Sequence, residues 1–82
     1  VNFDDMFSKS YFMKFFKETM GMGFIQYLND YRLEIAAKML LDTSDNILDV
    51  ALNTGFENLS YFNRCFKRKY GVTPRKYRTQ NS

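Results

Sequence analysis

Apolar residues recur along this chain at spacings of three and four, without the period-two alternation of a half-buried strand, and the pattern predicts an all-α fold. Ser8 is placed to cap a helix over 9–20 that Gly21 closes, with Phe12, Phe15 and Phe16 inward and Lys9, Met13, Lys14 and Lys17 more open. Gly21-Met22-Gly23 then breaks the chain before a long helix over 24–41. Its expected apolar stripe is Phe24, Tyr27, Leu28, Tyr31, Ile35, Ala36, Met39 and Leu40, with Arg32, Glu34 and Lys38 on the wetter side. Eighteen helical residues span ~27 Å. Thr43 to Asn46 reads as a loop, and Asn46 with Asp49 resembles a capping box for a short helix over 47–53. After the tight turn Thr54-Gly55, either Glu57 or Asn58 caps a helix to Tyr70, in which Phe62, Phe66 and Tyr70 stack four apart. Gly71 ends it, and Thr73-Pro74 opens a last turn through Tyr77. A short helix, a glycine turn and a longer basic helix have the shape of a helix-turn-helix.

The chain also repeats itself fifty residues apart. Ser10-Tyr11-Phe12-Met13-Lys14-Phe15-Phe16-Lys17 leads to Gly21, and Ser60-Tyr61-Phe62-Asn63-Arg64-Cys65-Phe66-Lys67 leads to Gly71. Each glycine is followed six residues later by a tyrosine, Tyr27 and Tyr77. So strict a repeat in 82 residues predicts two copies of one supersecondary unit. Each copy sets phenylalanines four apart against a basic residue on another face, so that one face buries while the other meets negative charge.

Composition narrows the chemistry. A hydrophobic share of 45% with nine Phe and six Tyr is ample for one small core. No apolar run approaches the ~18–20 residues of a membrane span, and no basic segment precedes an apolar stretch at Val1, so neither membrane insertion nor a signal peptide is expected. The single cysteine, Cys65, has no disulfide partner, no ligand set for a metal is evident, and no cofactor is expected; a cytoplasmic setting fits. Without histidine, a glycine-rich phosphate loop or a carboxylate pair in an evident cleft, the chain is read as no enzyme. The net charge of +3 hides a division: residues 1–57 carry five basic and nine acidic side chains, a net of −4, whereas 58–82 carry seven basic side chains and no acid, a net of +7. That clustering is the footprint of a polyanion-binding surface, with a solubilising basic tail as the plainer alternative.

The stretches Ile47-Leu48-Asp49-Val50-Ala51, Gly55-Phe56, Ser60-Tyr61-Phe62 with Arg64 and Phe66-Lys67, and Gly71-Val72-Thr73-Pro74 through Arg78 closely resemble the second helix-turn-helix of AraC/XylS-type transcription regulators. Tyr27-Leu28, Arg32-Leu33, Ala36 and Leu40 resemble the helix that joins that family's two helix-turn-helix units, and Ser8 to Gly21 looks like the first recognition helix. The resemblance implies two homeodomain-like units on a linker helix: a partial first unit over 1–21, the linker over 24–41, the second unit over 47–70 and a basic segment over 71–82. The chain departs from the family at its front. The family's opening helix is not supplied, and the helix beginning Phe3-Asp4-Asp5-Met6 runs at once into Phe7-Ser8, so four or five residues are expected to be missing between Met6 and Phe7.

The implied function is sequence-specific binding of double-stranded DNA by a bacterial transcription regulator, with recognition helices over 8–20 and 58–70 in successive major-groove segments and the duplex bent to meet both. Base-facing positions by resemblance are Ser10, Met13 and Lys14 in the first helix and Leu59, Ser60, Asn63 and Arg64 in the second. Arg64 has the geometry to pair bidentately with guanine, against a phosphate clamp or a salt bridge to Glu57 or Asp49. Met13 either reads the groove or fills a core edge, Asn63 either reads adenine or bonds locally, and Leu59 either touches a thymine methyl or packs. Lys9, Lys17, Tyr61, Lys67, Arg68, Arg75 and Lys76 are the phosphate candidates, with Lys69 and Arg78 in the same basic set, together with the backbone N–H groups near Ile47 and Asn58. Phe12, Phe16, Phe62, Phe66 and Tyr70 are read as core, and Cys65 beside them as structural. The family further implies a sensing or receiver domain outside this chain and contact with RNA polymerase through the full-length regulator. The alternatives are a single-strand or RNA binder, and a helical protein-interaction module without base readout.

Overall fold

The computed structural model describes residues 8–81. Five α-helices follow in order: α1 (Lys9–Met20), α2 (Phe24–Asp42), α3 (Ile47–Asn53), α4 (Leu59–Tyr70) and α5 (Pro74–Gln80), with no strand among the described residues. The expected start of a helix at Phe3–Met6 and the expected gap after Met6 lie outside them.

Polar caps set most of the helix starts. A side-chain oxygen accepts a backbone N–H three residues on at Ser8 (from Tyr11, 3.1 Å), Asn46 (from Asp49, 2.7 Å), Asn58 (from Tyr61, 2.8 Å) and Thr73 (from Lys76, 3.2 Å). Each bond satisfies a donor that the first helical turn leaves without a partner. Asn58, not Glu57, is therefore the cap of α4. Pro74 at the first position of α5 has no N–H to lose, and α5 runs past Tyr77 to Gln80, three residues beyond the expected turn.

The main core belongs to α2–α5. The C-terminal half of α2 supplies Leu33, Ala36, Ala37 and Leu40; α3 supplies Val50 and Ala51; the turn supplies Phe56; α4 supplies Phe62, Cys65 and Phe66. Phe62 and Phe66 are fully buried, each stabilising the fold by about 2–3 kcal/mol relative to exposure. Their rings continue a chain of contacts: Phe56 meets Phe62 edge-on at 5.1 Å, and Phe66 meets Tyr70 at 4.5 Å and Tyr77 at 5.3 Å. The Tyr70 hydroxyl donates to the Leu33 carbonyl at 3.4 Å. Burial first, then the Tyr77, Glu34 and Asp30 groups, raise its pKa above the ordinary tyrosine value and hold it protonated. Buried Thr54 returns its hydroxyl to the carbonyls of Val50 (2.8 Å) and Ala51 (3.1 Å), so the turn enters the core without a stranded polar group.

Two expectations about the apolar stripes are corrected. Tyr27, Tyr31 and Ile35 are exposed, while Leu33 and Ala37 are buried. α2 serves two partners on different sides: its N-terminal turns meet α1, and the stripe Leu33-Ala36-Ala37-Leu40 meets α3 to α5. A single stripe through all its apolar residues averages those faces. The second correction concerns α1, none of whose residues is buried; Phe12 and Phe15 are 44% and 56% exposed. Phe12 and Phe16 pack on Phe24 at 5.2 and 5.3 Å, and Phe16 on Tyr27 at 5.3 Å, all edge-on, while Phe15 stacks on Tyr11 in the open. Among the described residues, α1 leans on α2 from one side only.

The two copies of the repeat should therefore differ in weight. Phe62→Ala is expected to destabilise the domain by about 3–5 kcal/mol, and its counterpart Phe12→Ala by about 1–2 kcal/mol, the scale of a few edge-on ring contacts. Urea unfolding of both variants checks this; equal losses would contradict the unequal packing.

Candidate nucleic-acid interface

The repeat places like residues on like faces. On α4, Ser60, Asn63, Arg64 and Lys67 lie at positions i, i+3, i+4 and i+7, so they share one face, opposite buried Phe62 and Phe66. On α1 the corresponding face carries Ser10, Met13, Lys14 and Lys17. Ser10, Lys14, Lys17, Ser60, Arg64 and Lys67 are exposed, whereas Met13 and Asn63 are half-buried. Lys9 and Leu59 are exposed at the first positions of their helices.

Arg64 makes no ion pair with Glu57 or Asp49. Its guanidinium instead lies 5.5 Å from the Tyr61 ring centroid, and the residue is exposed. Tyr61 itself is half-buried: its hydroxyl oxygen accepts a hydrogen bond from Asn29 Nδ2 at 2.9 Å, and its ring sits 6.1 Å from Phe56. This phosphate candidate is thus a bridge between α2 and α4, with its own O–H still able to donate.

The basic C-terminal set divides. Lys67, Arg68, Arg75 and Lys76 are exposed and make no ion pair among the described residues, the first two on α4 and the others at the start of α5. Lys69 pairs with Glu34 at 3.7 Å, a surface contact worth little in stability. Arg78 is turned inward: its Nε donates to the Leu40 carbonyl at 2.8 Å and Nη2 to the Thr43 carbonyl at 3.3 Å. It satisfies carbonyls that the last turn of α2 leaves open, so its positive charge serves the helix end. The backbone N–H groups at the starts of α3 and α4 remain, but Asn46 and Asn58 already take one donor at each.

Sequence reasoning missed Asn29 and the inward role of Arg78. Asn29 is a polar residue on a mixed helix, and the Arg78 acceptors lie 38 and 35 residues away, so no local spacing signals either. Among the described residues no group of three or more His, Cys, Asp or Glu side chains is arranged to hold a metal ion. No helix there is long and apolar enough to cross a membrane.

The sequence matches the family model described as a helix-turn-helix domain over residues 6–80. The chain is similar to the HTH-type transcriptional regulator MtrA of Neisseria gonorrhoeae, at 37% identity over 89% of this chain, and spans 24% of that protein's length. Its structure is similar to the C-terminal domain of AraT, a response regulator from Geobacillus stearothermophilus (TM-score 0.84, 36% identity, 89% of this chain and 60% of that one). It also resembles a transcriptional regulator of the AraC-type DNA-binding-domain proteins from Chromobacterium violaceum (TM-score 0.80, 26% identity, 100% of this chain and 78% of that one). Two exposed polar faces in one register, carried by helices on a shared bridge, thus come with the sequence and the fold of known relatives, and the chain belongs to the AraC-type helix-turn-helix DNA-binding domains of transcription regulators.

Proposed function

We propose that the chain reads double-stranded DNA with two unequal hands. The observation that carries the reading is the matched register of α1 and α4, each presenting a polar, basic face away from its aromatic face. In this reading α1 closes a first unit, α2 is the linker, α3 and α4 form the second helix-turn-helix, and residues 71–82 are its basic flank. α2, at 19 residues, spans ~28 Å, of the order of the ~34 Å between successive major-groove segments on one face of B-DNA. Ser10, Met13 and Lys14 would meet bases at one sub-site, and Leu59, Ser60, Asn63 and Arg64 at the other. Lys9, Lys17, Lys67, Arg68, Arg75 and Lys76 would hold phosphates, with Tyr61 contributing through its O–H. Bending the duplex to meet both hands costs a few kcal/mol.

The chain spans about a quarter of its relative MtrA, and AraT is a response regulator. These support a larger regulator here, with a sensing or receiver domain outside these residues; contact with RNA polymerase through the full-length regulator is what the family resemblance adds to the reading. A helical protein-interaction module is the second reading, favoured by exposed Phe15, Tyr31 and Ile35. It predicts complex formation insensitive to salt, whereas duplex binding weakens steeply as salt rises.

Arg64→Ala is expected to cost about 1–3 kcal/mol of binding and to relax preference at one base pair. Selection of bound duplexes from a random pool reads this out, and uniform weakening across all sequences would refute base readout by Arg64. Lys14→Ala should relax preference about one helical turn away; loss at the same base pairs as Arg64 would overturn the two-site geometry.

A further inference from the structure

Arg32 lies in the middle of α2 and is only half-buried, yet among the described residues it makes no hydrogen bond or ion pair. Its side chain crosses the turn between α3 and α4. A Cβ built on Gly55 would stand 2.8 Å from Arg32 Nε and 3.1 Å from Cζ. Gly55 also holds φ at +97°, which L side chains rarely adopt, so the backbone favours glycine there and the missing Cβ leaves room for the guanidinium. Beyond it, Arg32, Ser60, Arg64 and Glu57 line one open groove of about 510 Å³ between α2 and α4. The other polar side chains there are engaged: Asn29 donates to Tyr61, and Asn58 caps α4. Two guanidinium groups against one carboxylate leave the groove net positive, and Ser60 and Arg64 put its mouth on the proposed DNA-reading face.

We propose that Arg32 is a DNA-phosphate ligand, contributed by the linker helix and reaching the same duplex segment as α4. The inference rests on the two-handed reading and adds a contact from the bridge itself. A guanidinium partly withdrawn from water, with its five donors unpaired, is poised for an anion. A phosphate fits its forked geometry; the Glu57 carboxylate in the same groove opposes an anion, and the two guanidinium groups outweigh it. The linker thereby fixes the register of α4 on the backbone.

The test measures affinity of the chain for one selected duplex between 50 and 200 mM salt, for the unaltered chain, Arg32→Gln and Arg32→Lys. Each phosphate contact adds about 0.9 to the salt slope, so Arg32→Gln should lose about 3–4-fold less affinity over that range while keeping its base preferences. Arg32→Lys should retain the slope. An unchanged slope in Arg32→Gln, with thermal unfolding unchanged, overturns the proposal. Should Arg32→Gln fail to fold, the Nε–H resonance of Arg32 in the unaltered chain decides: a shift on adding duplex supports the contact, and an unmoved signal overturns it. An unaltered chain that shows no salt-dependent duplex binding would overturn the two-handed reading and this contact with it.

Discussion

The buried stripe Leu33-Ala36-Ala37-Leu40 on α2 is the contact on which the rest of the domain depends. Two alanines at its centre allow α3, α4 and α5 to approach the helix closely, and Phe62 and Phe66 fill the space between them. That packing orients α4, because the face opposite Phe62 and Phe66 is then obliged to be Ser60, Asn63, Arg64 and Lys67. Arg78 and Tyr70 tie the same assembly to α2 through the carbonyls of Leu40, Thr43 and Leu33. The stem of α2 continues in the other direction to carry α1, so one helix sets both faces.

The sequence repeat hides how differently its copies are supported. Phe62 and Phe66 are fully buried, whereas among the described residues the rings of their counterparts Phe12 and Phe16 meet each other, Phe24 and Tyr27. The charge division follows the same line, with the basic excess after residue 57 around the better-packed copy. A well-anchored hand with most of the positive charge would dominate affinity, and a lightly held hand would adjust its fit.

Much of this was legible because local chemistry decided it. Ser8 and Asn46 cap where a short polar side chain opens a helical pattern, Thr73-Pro74 opens the last helix, and Gly21 and Gly71 close the helices of the repeat. The periodicity of α4 placed Phe62 and Phe66 in the core, where both are buried, and Tyr70 beside them, where it is half-buried. It misled on α2, where a helix serving two partners carries apolar residues on several sides and no single stripe exists. The candidate base-facing residues could be drawn from resemblance; Ser10, Met13 and Lys14 share one face of α1 and Ser60, Asn63 and Arg64 one face of α4, with Met13 and Asn63 half-buried and Leu59 off that face. Roles set by distant partners had no such signal: Tyr61 meets Asn29 across 32 residues, and Arg78 reaches Leu40 across 38.

Guanine methylation interference on a selected duplex tests the central claim most directly, because N7 lies in the major groove where both helices would act. The account predicts two patches of interference about 10–10.5 base pairs apart on one face of the duplex, the stronger under α4. A single patch, or two on opposite faces, would contradict a two-handed reader built on α2.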